Sequence, residues 1–222
     1  MQTHFEKGLS DLKDKLLTMA SHAETAVREA VQALTNRDYD LARKVREDDN
    51  VIDRLEIEID EMSIHLLAKA PLASDLRLIT VAMKISQNLE RVGDEASKIS
   101  NRARELSQEP PLKLNLDIPK MAGIALEMLK GALDSFVNNN PAAARALIPR
   151  DKEVDGLNKQ IYRQLADHMI GNPDSITRCL SLMIVAKSLE RIADHATNVA
   201  EEVVYLCEAE DIRHTGKGAT IA

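Results

Sequence analysis

A duplicated octapeptide constrains the fold of this 222-residue chain more than any other feature. Residues 89–96 read Leu-Glu-Arg-Val-Gly-Asp-Glu-Ala, and residues 189–196 read Leu-Glu-Arg-Ile-Ala-Asp-His-Ala. Apolar residues around both copies recur at alternating spacings of three and four, which is typical of a seam between packed helices. We therefore expect two related halves, each with a long amphipathic helix that carries the motif.

The same periodicity, with its breaks, divides the chain into six long helical segments. The predicted helices span about residues 5–35, 38–70, 74–106, 117–137, 141–171 and 174–208. Their connections are short, so neighbouring helices should be antiparallel. The predicted fold is all-α, with two tandem, pseudo-repeated three-helix bundles.

The best boundary between the halves is Pro110-Pro111, the only Pro-Pro pair in the chain. We expect a first bundle at 1–109, a second at 112–210 and a flexible C-terminal tail at 211–222. Composition agrees with helix packing, because the chain has no Trp, two Phe and three Tyr, and its hydrophobic residues are mostly aliphatic.

Charge and cysteine content exclude several classes of function. The net charge of −7 argues against a nucleic-acid binder, and no cluster of Lys and Arg is interleaved with aromatic residues. Cys179 and Cys207 lack the spacing of a metal or redox pair, which favours a reducing compartment. With no apolar stretch that suits a signal peptide or a membrane span, a soluble, cytoplasmic protein is expected.

Each half also carries two pairs of acids spaced four residues apart, which places each pair on one helix face. The pairs are Asp49/Asp53 and Glu90/Asp94 in the first half, and Asp151/Asp155 and Glu190/Asp194 in the second. Asp53 and Glu90 each directly follow a seam residue. The acids are therefore expected on the shoulder or outer face of their helices, outside the core.

Chance alone would produce about six acidic pairs at this spacing in a chain this acidic, so one pair indicates only a solvated helix face. The informative feature is the recurrence of two pairs in phase in each half, although duplication alone would also preserve it. Four carboxylates brought together by neighbouring helices require protonation, basic partners or a cation. Oxygen ligands suit Mg²⁺, Ca²⁺, Mn²⁺ and iron, so we predict a metal site in each half.

Other polar residues near the motifs are candidates to extend these sites: Asn101, His195, Asn198, Glu201 and Glu202. For His195, an exposed helix position is the simpler interpretation. No histidine has a Glu three residues before it, as a buried di-iron bundle requires. A Gly-rich phosphate loop, a Gly-x-Ser-x-Gly motif and a Cys/His pair are also missing from the sequence, so we predict no catalytic residues.

The two Leu-Glu-Arg-(Val/Ile)-(Gly/Ala)-Asp motifs resemble the hallmark of the PhoU family of phosphate-uptake regulators. Pro-Leu-Ala-Ser-Asp-Leu-Arg at 71–77 and Asp-Ile-Arg-His at 211–214 are also similar to family segments. The second half departs from the first of these, with Pro-Asp-Ser-Ile-Thr-Arg at 173–178. The resemblance implies two three-helix bundles and multinuclear metal clusters, held here by the eight paired acids.

The resemblance also implies a function. Family members are negative regulators of phosphate uptake and of the phosphate-starvation response. They act with the ATPase subunit of the phosphate ABC transporter and with a phosphate-sensor histidine kinase, usually as homodimers, and reach the membrane only through these partners. The implied metals are divalent or trivalent ions, with multinuclear iron, Mg²⁺, Mn²⁺ and Zn²⁺ as candidates.

Two classes of function remain open on the residues themselves. One is a non-enzymatic adaptor, and the other is a metal-dependent phosphohydrolase that uses the carboxylate clusters. A catalytic site needs a positioned acid, base or phosphate clamp. The acids are expected outside the seams, and Arg91 and Arg191 lie about 100° around the helix from the preceding Glu. We therefore favour the adaptor.

Overall fold

The computed structural model describes residues 4–69 and 72–213, and the regular structure in these ranges is entirely helical. Its α-helices are α1 His4–Asn36, α2 Tyr39–Leu67, α3 Ala73–Ser107, α4 Ile118–Val137, α5 Pro141–Leu147, α6 Asp151–Gly171 and α7 Ile176–Glu208. The helices α1, α2 and α3 form one bundle, and α4, α5–α6 and α7 form the other. The predicted all-α fold of two three-helix bundles is confirmed.

The connections use the capping residues that the sequence provides. Oδ1 of Asp38 accepts a hydrogen bond from the backbone N–H of Leu41 at 2.9 Å, which caps α2. Oδ1 of Asn140 accepts one from Ala143 at 3.0 Å and caps α5, with Pro141 in the first turn. These side chains satisfy N–H groups that have no partner within the helix.

The predicted helix at 141–171 is interrupted, which corrects the sequence-based expectation. Residues Ile148–Arg150 form a 3₁₀ turn between α5 and α6. Pro149 causes the break, since it has no N–H to donate and its ring clashes with the preceding turn. As a result, Asp151 lies in the first turn of α6 rather than in a helix interior.

The two bundles share one apolar core. Seam residues of α3, such as Ile85, Leu89 and Val92, and of α7, such as Leu189 and Ile192, are fully buried in one cluster. The helix α3 also packs against α7, and α1 packs against α4, so the bundles meet along two pairs of helices. None of the helices in the described ranges has the length and apolar character that crossing a bilayer needs.

The predicted flexible tail begins with residues that pack against the bundle. Ile212 contacts the core, and the guanidinium of Arg213 lies 3.5 Å from Oε1 of Glu202. Residues 214–222 lie outside the described residues, as do Ala70 and Pro71, where the second helix was expected to end. The bundle boundaries at 1–109 and 112–210 stay predictions.

The helices α3 and α7, which carry the two copies of the octapeptide, are the motif helices, and they pack against α2 and α6. The two halves fill these helix contacts with different side chains. A Cβ on Gly93 would lie 2.9 Å from Cδ1 of Ile52, which is too close. The corresponding residues of the second half are Ala193 and Val154, both fully buried. Val has no Cδ1, so the second half gains one methyl group on α7 where its partner helix loses one.

We expect this compensation to be measurable as a coupling between the two positions of the first half. Gly93→Ala alone should destabilise the fold by about 1–3 kcal/mol through overpacking. Ile52→Val alone should cost about 0.5–1.5 kcal/mol through a cavity. The double variant should lose less free energy of unfolding than the sum of the two single losses, by about 1 kcal/mol or more. Urea unfolding of all four proteins measures this, and strictly additive losses would contradict it.

Candidate metal centres

The structure brings the four predicted acids of the first half together across α2 and α3. Burial raises the pKa of Asp49, and the charges of Asp53 and Asp94 raise it further, against a hydrogen bond from Ser97. Burial also raises the pKa of Glu90, with added repulsion from Asp94 and Asp53 and relief from Arg91. We call these four residues the first cluster.

Glu56 is a fifth acid of this group that the sequence analysis missed. Burial is the largest cause of its raised pKa, and the charge of Asp60 raises the pKa further. The charges of Asp53 and Asp94 also contribute. The missed signal was its position three residues after Asp53, on the same helix face. The second half has Asn158 at the corresponding position, so its acidic group is smaller.

Asp151, Asp155, Glu190 and Asp194 form the second cluster, across α6 and α7. Burial raises the pKa of Asp151, and Asp155 and Glu190 raise it further. The pKa of Asp194 is raised to about 6, first by desolvation of its carboxyl and then by the charges of Asp151 and Glu190. Its side chain is nevertheless exposed to solvent. Oδ1 of Asp151 is buried without a hydrogen-bond partner.

Basic side chains neutralise part of both clusters. The guanidinium of Arg91 lies 3.4 Å from Oε2 of Glu90 and 3.5 Å from Oδ2 of Asp94. The ammonium of Lys187 forms an ion pair with Glu190. Although Arg91 lies about 100° around the helix from Glu90, its long side chain therefore bends back over the acids.

An oxygen-coordinated cation fits these residues, but they do not enclose one. Across residues 4–69 and 72–213, no three His, Cys, Asp or Glu side chains converge on a point where they could hold one ion. The all-oxygen donor set suits hard cations, and the unpartnered oxygen of Asp151 is an acceptor that a cation would satisfy.

Three of the further candidate ligands are engaged between the bundles instead. Nδ1 of His195 lies 3.0 Å from Oδ1 of Asn88, and the amide of Asn198 donates to the same oxygen at 3.2 Å. Glu202 is buried and accepts a hydrogen bond from Nζ of Lys84 at 3.0 Å. These contacts give the three residues a role in joining α3 to α7.

The other two further candidates lie on the same two helices. The negative charges of Glu201 and of its neighbour Glu202 both help to raise the pKa of Arg213. Asn101 is half-buried on α3, and its role as a ligand stays a prediction.

Glu95 is the centre of this contact between the bundles and was also missed. It is only 4 % exposed, and Nη1 of Arg191 donates to its Oε1 at 3.2 Å. Although burial favours the neutral form, hydrogen bonds from Lys98, Ser188 and Arg191 lower its pKa. Glu95 corresponds to His195 in the 100-residue repeat, and Asn88 corresponds to Ser188. The contact Glu95–Ser188 is therefore equivalent to the contact His195–Asn88, so α3 and α7 meet about a pseudo-twofold axis.

Comparison with known proteins gives the family. The PhoU domain model matches the chain twice, at residues 16–103 and 118–203, and each match contains one cluster. The chain belongs to the PhoU family. The resemblance expected from the doubled motif is thereby confirmed.

Relatives within the PhoU family match along nearly the whole chain. The phosphate-specific transport system accessory protein PhoU homolog of Pseudomonas aeruginosa is 39% identical over 214 residues, which cover 96% of this chain and 88% of the relative. The accessory protein PhoU of Escherichia coli K12 is 33% identical over 213 residues, with 96% and 88% covered.

Two solved PhoU structures have the same fold. The crystal structure of PhoU from Pseudomonas aeruginosa superposes with a TM-score of 0.90 at 38% identity, and covers 93% of this chain and 100% of its own. The phosphate transport system regulatory protein PhoU from Streptococcus pneumoniae has a TM-score of 0.87 at 24% identity, with 94% and 99% covered.

We expect Asp194→Asn to stabilise the metal-free protein above about pH 6. The raised pKa means that the folded state binds a proton more tightly than the unfolded state, so ionisation of Asp194 weakens folding as the pH rises. The gain in melting temperature should fade as the pH falls from about 6 towards 4 and vanish below that, where the carboxyl is protonated in the unfolded state as well. Thermal unfolding in the presence of a chelator measures this.

The control for that experiment is Asp167→Asn, which removes an exposed carboxylate of α6 outside the cluster. It should have no comparable pH-dependent effect. A gain for Asp194→Asn that is equal at all pH values would contradict the assignment.

Proposed function

We propose that this chain is a negative regulator of phosphate uptake, which keeps the phosphate-starvation response off when phosphate is plentiful. The observation that carries the proposal is the doubled PhoU match, at 16–103 and 118–203. Its relatives are named phosphate-specific transport system accessory proteins, which supports a role in regulating phosphate transport.

In this proposal the chain is a non-enzymatic, cytoplasmic adaptor and a homodimer. Its partners are the ATPase subunit of the phosphate ABC transporter and the phosphate-sensor histidine kinase, and it reaches the membrane only through them. The relatives are named phosphate-specific transport system accessory proteins, which supports the association with the transport system and an accessory rather than an enzymatic role. The net charge of −7 favours protein partners over nucleic acid.

The two acidic clusters are proposed to bind divalent or trivalent cations, with iron, Mg²⁺, Mn²⁺ and Zn²⁺ as candidates. A bound cation would neutralise the repulsion between facing carboxylates. In the first half, Asp49 and Asp53 on α2 and Glu90 and Asp94 on α3 would share it. In the second half, the acids of α6 and α7 would do the same, so that each cluster holds the motif helix to its neighbour.

One observation favours the alternative of a metal-dependent phosphohydrolase. Arg91 lies beside Glu90 and Asp94, as a phosphate clamp beside metal ligands would. Its guanidinium is, however, already paired with those carboxylates. A turnover assay with a generic phosphomonoester and divalent metal separates the two functions, because sustained metal-dependent hydrolysis would overturn the adaptor proposal.

We expect deletion of the gene in its own host to leave phosphate-starvation genes expressed at high phosphate. Reintroducing the full-length chain should restore repression, measured as reporter expression in high and low phosphate. A strain that lacks the gene and still represses the reporter normally at high phosphate would contradict the regulatory proposal.

We expect each cluster to bind metal independently. Glu190→Gln with Asp194→Asn should abolish binding in the second half and spare the first, and Glu90→Gln with Asp94→Asn should do the reverse. Metal at about 100 times its Kd should stabilise an intact site by about 2.7 kcal/mol, since it binds only the folded state. Calorimetric titration with Fe²⁺, Mn²⁺, Zn²⁺ and Mg²⁺, and elemental analysis, measure this.

For the metal titrations, Asp167→Asn is again the control, because it removes an acid from α6 without touching either cluster. Unchanged stoichiometry and affinity in both double variants would leave the clusters as duplicated surface acids.

A further inference from the structure

The clusters differ in how one carboxylate is held. In the first half, Oγ of Ser97 donates a hydrogen bond to Oδ2 of Asp49 at 2.8 Å. Ser97 follows Asp94 by three residues, so it lies on the same face of α3 as the cluster acids. At the corresponding position of the second half, Oγ1 of Thr197 is buried without a hydrogen-bond partner, as is Oδ1 of Asp151.

Gly93 explains why Asp49 comes so close to α3. A Cβ at position 93 would lie 3.0 Å from Oδ1 of Asp49, a contact that would push the carboxylate away. The second half has Ala193 at this position, and therefore carries that methyl group. The first half thus combines space for the carboxylate with a hydroxyl that fixes its orientation.

We propose that Ser97 is a positioning residue for the first cation site, an inference that rests on the proposed metal binding. Its hydroxyl holds the carboxylate of Asp49 in one orientation before a cation arrives. A ligand fixed in advance loses less conformational freedom on binding, and partners that orient metal ligands in this way typically strengthen binding by 10–100-fold. Thr197 does not position Asp151, since no hydrogen bond joins the two in this structure.

A purely structural role would give a different result. If the Ser97–Asp49 bond only tied α3 to α2, its removal would lower the melting temperature of the metal-free protein and leave cation affinity unchanged. Affinity measured on a folded variant therefore separates positioning from support.

The test measures Mn²⁺ binding by calorimetry on the full-length chain, with the second cluster removed by Glu190→Gln and Asp194→Asn. In this background Ser97→Ala should raise the Kd of the first cluster about tenfold with unchanged stoichiometry. Ser97→Thr keeps the hydroxyl and should restore the affinity. Thr197→Val is the matched control, tested with the first cluster removed instead, and should change the Kd of the second cluster less than about twofold.

The outcomes distinguish this inference from the function on which it rests. Failure of the unaltered chain to bind Mn²⁺, Fe²⁺, Zn²⁺ or Mg²⁺ would overturn the metal proposal and the role of Ser97 together. Normal binding by the unaltered chain with no loss in Ser97→Ala would overturn the role of Ser97 alone. Equal losses in Ser97→Ala and Thr197→Val would also overturn it, since the effect would not follow the hydrogen bond.

Discussion

The packing of α3 against α7 is the contact on which the rest of the molecule depends, because it joins the two copies of the motif. Each motif helix uses three faces. One, with Leu89 or Leu189, enters the apolar core. A second, with Glu95 or His195, meets the other motif helix through buried hydrogen bonds. The third carries the paired acids towards α2 or α6. Since all three faces lie on one helix, the interface between the bundles and the acidic clusters cannot move independently.

Duplication gave the halves one backbone, and substitutions then made them chemically different. The exchange of Gly93 and Ile52 for Ala193 and Val154 keeps the volume of the contact nearly constant. The repeat position occupied by Glu95 in α3 and by His195 in α7 is another such difference, because each side chain meets different partners on the other helix. A buried Glu next to Arg191 and a His next to Asn88 both satisfy that position.

The sequence predicted the fold and the grouping of acids well, because both depend on periodicity. Seam spacing determines which residues are buried, and i, i+4 spacing in two neighbouring helices brings Asp49 and Glu90 to the same side. Features that depend on distance between helices were not predictable. The reach of Arg91 depends on its rotamer, and the burial of Glu95 depends on how the bundles dock. Pro149 and Glu56 were visible in the sequence. Pro149 was missed because the apolar helix pattern continues past it. Glu56 was missed because its acidic pair with Asp60 does not recur in the second half, where Asn158 and Tyr162 stand at the corresponding positions.

The acidic clusters place protons and cations in competition for the same oxygens. A carboxylate must be deprotonated to bind a metal, so a group whose pKa is raised binds metal less well as the pH falls through that pKa. In the second cluster this competition falls close to neutral pH, because the pKa of Asp194 is raised to about 6. In the first cluster Arg91 is a permanent cation beside two of the acids, and Ser97 donates to a third. In the second cluster Lys187 plays a similar part through its ion pair with Glu190. Side chains of the protein thus balance part of the charge in both halves, and protons or the proposed cation would compete to balance the rest between α2 and α3 and between α6 and α7.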